Sequence, residues 1–297
     1  MTRRRHHPAG ALLLVLSLLP GCRRNAAGPE GGSDDALAGA RALVEEGRFD
    51  EAIARLGDGA DADALYLLGR AWAGKAETAP VPTPLPGSSG GAPLPLKPEE
   101  ARALAFLERA VAARPDHAAA HLATARILAP HALAAAQRGA AGGGGVATVD
   151  RVLRSFGDAI QADPAETAAA EAMVQFATRA GRIAEADAGY QELVRRRRED
   201  PDLLVRYGDF LAGPGGNPEG ALAQYAQALM WRPDDTATRL KAADLHLAVV
   251  SGLLSQQQYA SAEARLKSAR KLVTDPASPQ AARLRELEGR LREIRGR

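Results

Sequence analysis

Apolar residues recur along the chain at helical spacing, and three segments repeat one arrangement. Each has a large apolar residue, alanine three positions on, and proline five beyond that: Leu107-Ala110-Pro115, Phe156-Ala159-Pro164 and Tyr225-Ala228-Pro233. A large and a small side chain three apart share one helical face, and a neighbouring helix leans in where the side chain is small. The proline ends the helix because it has no N–H to continue the ladder. A device used three times predicts an array of helical hairpins rather than one globular core. Cap signals agree: Ser33, Asp34 and Asp35 precede an apolar-periodic run from Ala36, Asn217-Pro218-Glu219 starts another helix, and Ser278-Pro279 starts a last one. In that last helix, over 279–296, Leu284, Leu287, Leu291 and Ile294 make one apolar stripe among arginines and glutamates. The pattern suits a cap with a polar outer face, and equally a short dimerising coiled coil. No segment of strand periodicity competes.

Two intervals break the rhythm. Residues 79–98 are dense in proline and glycine, and residues 130–148 include four successive glycines, Gly142 to Gly145. Both read as loops inserted at hairpin turns. Proline spacing supports this. Pro164 to Pro233 is 69 residues, close to two periods of about 34, whereas Pro115 to Pro164 is 49, one period plus an insertion.

The motifs within each period carry a resemblance. Gly47-Arg48-Phe49 is followed by Ala52; Leu68-Gly69 by Trp72; Gly181 by Ile183, Ala186 and Tyr190; Tyr207-Gly208 by Leu211; and Tyr259 by Ala262, Leu266 and Ala269. These resemble the tetratricopeptide repeat (TPR). The resemblance implies an all-α fold over 36–297, a right-handed superhelical solenoid of antiparallel helix pairs, with five to seven repeats and about six expected. In the third repeat, helices are expected over 118–129 and 150–162, and Thr124-Ala125 stands where Leu-Gly is usual. The fourth covers 166–198 and is closed late by Pro201, the fifth 202–233 and the sixth 235–276, with a longer turn formed by Gly252 and the glutamines near Ser255.

The amino terminus changes the picture of where the array works. Arg3, Arg4 and Arg5 precede an apolar run from Ala11 to Leu19, and Leu19-Pro20-Gly21-Cys22 follows. The run is shorter than the roughly 20 residues that span a bilayer, so residues 1–21 read as an export signal. The stretch resembles a bacterial lipobox, which implies acylation of Cys22, a membrane anchor through its acyl chains and a flexible tether over 22–35. Arg23 stands where the resemblance would place aspartate for inner-membrane retention, which implies the periplasmic leaflet of the outer membrane. Cys22 is the only cysteine, so no disulfide is available. The formal charge of +2 counts the three arginines at 3–5; without them it is −1. A nearly neutral body argues against nucleic acid, whose binding rests on many phosphate contacts.

Chemistry is sparse. His117 and His121 lie four apart, yet the first falls in a turn and neither has a third ligand beside it in sequence, so packing is the expectation and no metal site is assigned. Asp58, Asp61 and Asp63 lack the glycine and the terminal glutamate of a calcium loop and are expected to cap the helix starting near Ala62. Gly142 to Gly145 lack the Gly-Lys-Ser/Thr of a phosphate loop. Arg195 to Arg198 read as a solvated helix end, with contact to anionic lipid or an acidic partner as the other reading. No catalytic constellation and no cofactor motif emerges, so the chain is expected not to be an enzyme. The resemblance implies instead a concave groove lined by the first helix of each repeat. Its candidates are Tyr66, Arg70, Arg126, Glu171, Gln175, Arg179, Asp209 and Asp244. Arginine early and aspartate late would polarise that groove and orient an extended protein or peptide segment. The expected function is a lipid-anchored scaffold; the alternatives are an accessory to a cell-wall enzyme or to pilus or secretion assembly, and a self-assembling structural lipoprotein.

Overall fold

The computed structural model describes residues 30–79, 96–137, 148–165 and 167–296. The expected signal segment, Cys22, the interiors of both expected insertions and the glycine run lie outside them. Among the described residues there are thirteen α-helices and no strand. They pair in chain order: α1 (Glu30–Glu45) with α2 (Phe49–Leu56), α3 (Ala62–Thr78) with α4 (Pro98–Ala113), α5 (Ala118–Gln137) with α6 (Val149–Ala162), α7 (Ala168–Arg179) with α8 (Ile183–Arg196), α9 (Pro201–Ala212) with α10 (Pro218–Trp231), and α11 (Thr236–Ser255) with α12 (Tyr259–Leu272). A last helix, α13 (Pro279–Arg295), closes on α11 and α12. The odd helices also touch in sequence, α1 to α3, α3 to α5 and α5 to α7, so they form one layer of an all-α solenoid.

The repeated spacing has a direct steric meaning. Leu107 is fully buried on α4 and lies over Gly69 of α3, where an added Cβ would stand 2.7 Å from its Cγ. Tyr225 of α10 lies over Gly208 of α9 in the same way, with its Cε1 2.5 Å from such a Cβ. The large residue of the signature therefore needs a missing side chain on the preceding helix. Around Phe156 the facing helix offers Ala125, which is fully buried in the same apolar cluster, in place of glycine. The fourth hairpin exchanges the roles. Here Gly189 sits on α8 and admits Val174 of α7, whose Cγ2 would be 2.6 Å from a Cβ at 189. Tyr190 turns to the next hairpin, stacking on Tyr207 at 5.0 Å between ring centroids and meeting Phe210 at 5.1 Å. That is why this hairpin lacks the signature.

Helix ends follow the expected stops and caps. α4, α6 and α10 finish just ahead of Pro115, Pro164 and Pro233. Asp61 Oδ1 accepts the Ala64 N–H at 2.8 Å, Asn217 Oδ1 that of Gly220 at 2.9 Å, and Ser278 Oγ that of Ala281 at 3.2 Å. α3 ends at Thr78 and α4 starts at Pro98, at the edges of the first expected insertion.

Four expectations are corrected. α1 begins at Glu30, within the stretch read as tether, so Ser33 to Asp35 lie inside a helix rather than capping one. α5 does not stop at Ala129 but continues through Pro130 to Gln137. An internal proline costs about 3 kcal/mol, and the continued turns bury Ala132 and Leu133 in the core shared with Phe156. α11 likewise runs through Gly252, because Leu254 beyond it is buried against α12 and α13; of the expected longer turn only the glutamines, Gln256 to Gln258, form the turn. Pro201 does not close the fourth hairpin: it is the first residue of α9, with Asp200 Oδ1 accepting the Leu203 N–H at 3.0 Å.

The stripe on α13 is consumed inside the chain. Leu284, Leu287 and Leu291 are buried with Leu247, Val250 and Leu266, and Ile294 packs on the same cluster. The cap reading fits this, and the leucines offered for a coiled coil are already covered.

Candidate partner-binding groove

The layer of odd helices carries a chain of clefts. Between α3 and α5 lies one of about 410 Å³ whose walls include Tyr66, Arg70, Glu77 and Arg126. Between α5 and α7 lies a second of about 530 Å³, with Arg126, Glu171, Gln175 and Arg179 on its walls and Leu133, Phe156 and Phe176 beneath. A third, of about 490 Å³ between α7 and α9, adds Arg206 beside Glu171 and Gln175. Arg126 and Pro130 belong to the first two clefts, Glu171 and Gln175 to the last two, so the three form one groove. Six of the eight candidates, Tyr66, Arg70, Arg126, Glu171, Gln175 and Arg179, come together along it.

Asp209 and Asp244 do not line these clefts. Asp209 accepts the Tyr225 hydroxyl at 2.8 Å and pairs with Lys241 at 2.6 Å; Asp244 accepts the Gln280 amide at 3.0 Å. Burial, with Asp209 beside it, holds the Tyr225 hydroxyl well above the usual phenol range. The expected acidic half of a polarised groove is thus engaged within the chain, and the charged candidates that share the clefts are three arginines and one glutamate.

The carboxylates of the groove are also mostly committed. Glu171 pairs with Arg197, Asp202 pairs with Arg232 through two contacts of 2.6 and 2.7 Å, and Glu100 meets His131 Nε2 at 3.1 Å while accepting the Lys97 backbone N–H at 2.7 Å. Lys97 Nζ donates to the Ala76 carbonyl at 2.6 Å, tying the start of α4 to the end of α3. Arg70 donates to the Tyr66 hydroxyl at 3.1 Å. Arg126 and Arg179 have no carboxylate or hydrogen-bond partner among the described residues, and Arg206 has no ion pair there. Of the carboxylates on the cleft walls, only Glu77 at the far end of α3 lacks such a partner.

Sequence reasoning missed two features of the groove. Arg206 was not counted, although it lies on α9 two residues before the glycine that sets the register. Pro130, expected to open the second insertion, lines two clefts. Because proline has no N–H, the carbonyl of Arg126, four residues earlier, has no donor in the helical ladder.

The other candidates have structural partners. His117 is 6 % exposed, lies tilted against the Tyr66 ring at 4.9 Å between centroids, and accepts the Ala120 N–H on Nδ1 at 3.4 Å, while its Nε2 faces Asp63 at 3.4 Å. Burial, with Arg114 nearby, lowers its pKa below the ordinary histidine value. His121 Nε2 meets the Pro115 carbonyl at 2.8 Å. Asp63 pairs with Arg114 at 2.6 Å, and this contact lowers its pKa. Among the described residues no three His, Cys, Asp or Glu side chains gather as a metal site would require. In the arginine run, Arg195 and Arg196 pair with Glu192 and Arg197 with Glu171, so most of that charge is satisfied locally. No helix among the described residues is long and apolar enough to cross a membrane.

Comparison with known proteins adds likeness of fold. No family profile and no curated protein matches the chain. Among solved structures it is similar to the C-terminal part of a TPR repeat-containing protein from Cytophaga hutchinsonii (10% identity, TM-score 0.48, covering 84% of this chain and 86% of that one). It is also similar to TTC0263, a thermophilic TPR protein of Thermus thermophilus (19%, TM-score 0.39, 71% and 97%). A third is YrrB, described as a TPR protein with an unusual peptide-binding site (15%, TM-score 0.43, 80% and 97%). What this groove does is read from its own side chains.

Proposed function

We propose that the chain is a non-enzymatic scaffold of the tetratricopeptide type that holds an extended segment of a partner protein in the groove along α3, α5 and α7. The carrying observation is the continuity of the clefts: six polar candidates counted from the repeat register line one channel with an apolar floor. Such a channel supplies contact area from the floor and register from the charged rim. The amino-terminal pattern supports an anchor through acylated Cys22, with the array held at the periplasmic face of the outer membrane. Acyl chains contribute about 0.8 kcal/mol per buried CH₂, so two or three hold stably where one does not.

Affinity capture from membranes, with the full chain as bait, tests the groove. Arg126→Glu with Arg179→Glu is expected to lose the captured partner while circular dichroism at 222 nm stays unchanged. Unaltered capture would show that the partner binds elsewhere. The anchor is tested by Cys22→Ala, expected to leave the membrane fraction and to lose labelling by palmitate; retention of both contradicts it.

A further inference from the structure

We infer that the segment held in this groove is acidic: an extended peptide whose carboxylates, about three residues apart, lie against Arg126 and Arg179. The inference rests on the groove being a peptide site, and it adds the chemistry of the peptide.

Many arginines elsewhere on the array find acids. Arg114 pairs with Asp63, Arg151 with Glu108, Arg182 with Asp150 and Glu185, Arg232 with Asp202. Others at exposed positions, such as Arg154, Arg198 and Arg290, have no ion pair among the described residues; what sets Arg126 and Arg179 apart is the cleft they share. Arg126 and Arg179 share a cleft and have no such partner among the described residues, and the one carboxylate on that cleft's walls, Glu171, is taken by Arg197. Two like charges facing one cleft repel, and the repulsion is relieved when an anion enters. An acidic segment of a partner supplies that anion.

Geometry and hydrogen bonding favour a peptide over a polyanion such as nucleic acid. Packed helices lie roughly 8–10 Å apart, and an extended chain advances about 3.3–3.6 Å per residue. Carboxylates about three residues apart therefore reach from α5 to α7, and the residues between them lie over Leu133, Phe156 and Phe176. The carbonyl of Arg126, left without a ladder donor by Pro130, asks for an N–H. The Gln175 amide both donates and accepts. A peptide backbone supplies an N–H and a carbonyl at every residue; a phosphate backbone supplies no donor.

The test is fluorescence anisotropy on the full chain with dye-labelled (Glu-Val-Thr)₄, (Gln-Val-Thr)₄ and (Lys-Val-Thr)₄ peptides and with oligo-dT. The expected order places the glutamate peptide first, with affinity falling as salt rises. Arg126→Gln and Arg179→Gln are each expected to weaken it about tenfold, the scale of one charge-assisted hydrogen bond, with unchanged helicity. If the glutamine or lysine peptide binds as tightly and Arg126→Gln leaves it unaffected, the acidic assignment is wrong while the groove reading survives. Tighter oligo-dT binding through the same arginines overturns the peptide assignment. Absence of all binding overturns this inference, and the membrane capture above then decides the groove itself.

Discussion

Replacing Gly69 by alanine tests the steric logic that repeats along the array. A Cβ at that position would stand 2.7 Å from both Cγ and Cδ2 of Leu107 and 3.2 Å from the Ala103 carbonyl oxygen. Leu107 is fully buried and Ala103 is backbone-fixed on α4, so neither yields without moving the helix. Overpacking of this kind costs about 1–3 kcal/mol, against about 1 kcal/mol gained because alanine is the better helix former. Gly69→Ala is thus expected to lower stability by up to about 2 kcal/mol. In a Leu107→Ala background the obstruction is gone, and the same change should raise stability by up to about 1 kcal/mol. Urea unfolding of the four variants, followed at 222 nm, reads this reversal as opposite shifts of the midpoint. If Gly69→Ala shifts the midpoint equally with Leu107 present and with Leu107→Ala, close approach at this glycine is not what the repeated spacing encodes.

Three further outcomes follow from local geometry. Gln257 has φ +61° in a turn whose counterparts are Gly47, Gly181 and Gly216; Gln257→Gly should therefore raise the urea midpoint, by about 1 kcal/mol in stability. Pro130→Ala restores a ladder donor to the Arg126 carbonyl and is expected to stabilise the chain by up to about 3 kcal/mol, while weakening the peptide in an anisotropy titration; a gain in both would argue against the carbonyl as an acceptor. His117 is held neutral by burial and caps α5 through Nδ1, so its folded pKa lies below its unfolded value. Its contribution is complete above about pH 6.5 and is lost as pH falls through the folded value. The loss of urea midpoint from pH 7.5 to 5.5 should accordingly be smaller in His117→Gln than in the wild type.

The hairpin order was legible because packing in this fold is local. Leu107, Phe156 and Tyr225 meet partners one helix away, and Pro115, Pro164 and Pro233 stop helices by backbone chemistry alone, so sequence spacing carries both. What escaped it was decided by distant burial. Pro130 and Gly252 look like breaks, and only the core behind Leu133 and Leu254 shows why their helices continue. The fourth hairpin hid for a related reason, since exchanging glycine from α7 to α8 leaves the packing intact and erases the pattern. Counting from the register brought six groove residues together. Asp209 and Asp244 failed because exposure on a helix says nothing about a neighbour within reach, here Tyr225 and Lys241 for one and Gln280 for the other. Arg126 and Arg179 carry the reverse lesson: they share a cleft and have no ion-pair partner among the described residues.

The central claim is that one channel along α3, α5 and α7 receives the partner. Photo-crosslinking addresses it most directly, with p-benzoylphenylalanine placed at Gln175 on the wall shared by two clefts, or at exposed Met230 on α10, outside all of them. The partner should be trapped from Gln175 and not from Met230, and the trapped segment should be acidic. Trapping from Met230 alone would contradict the account.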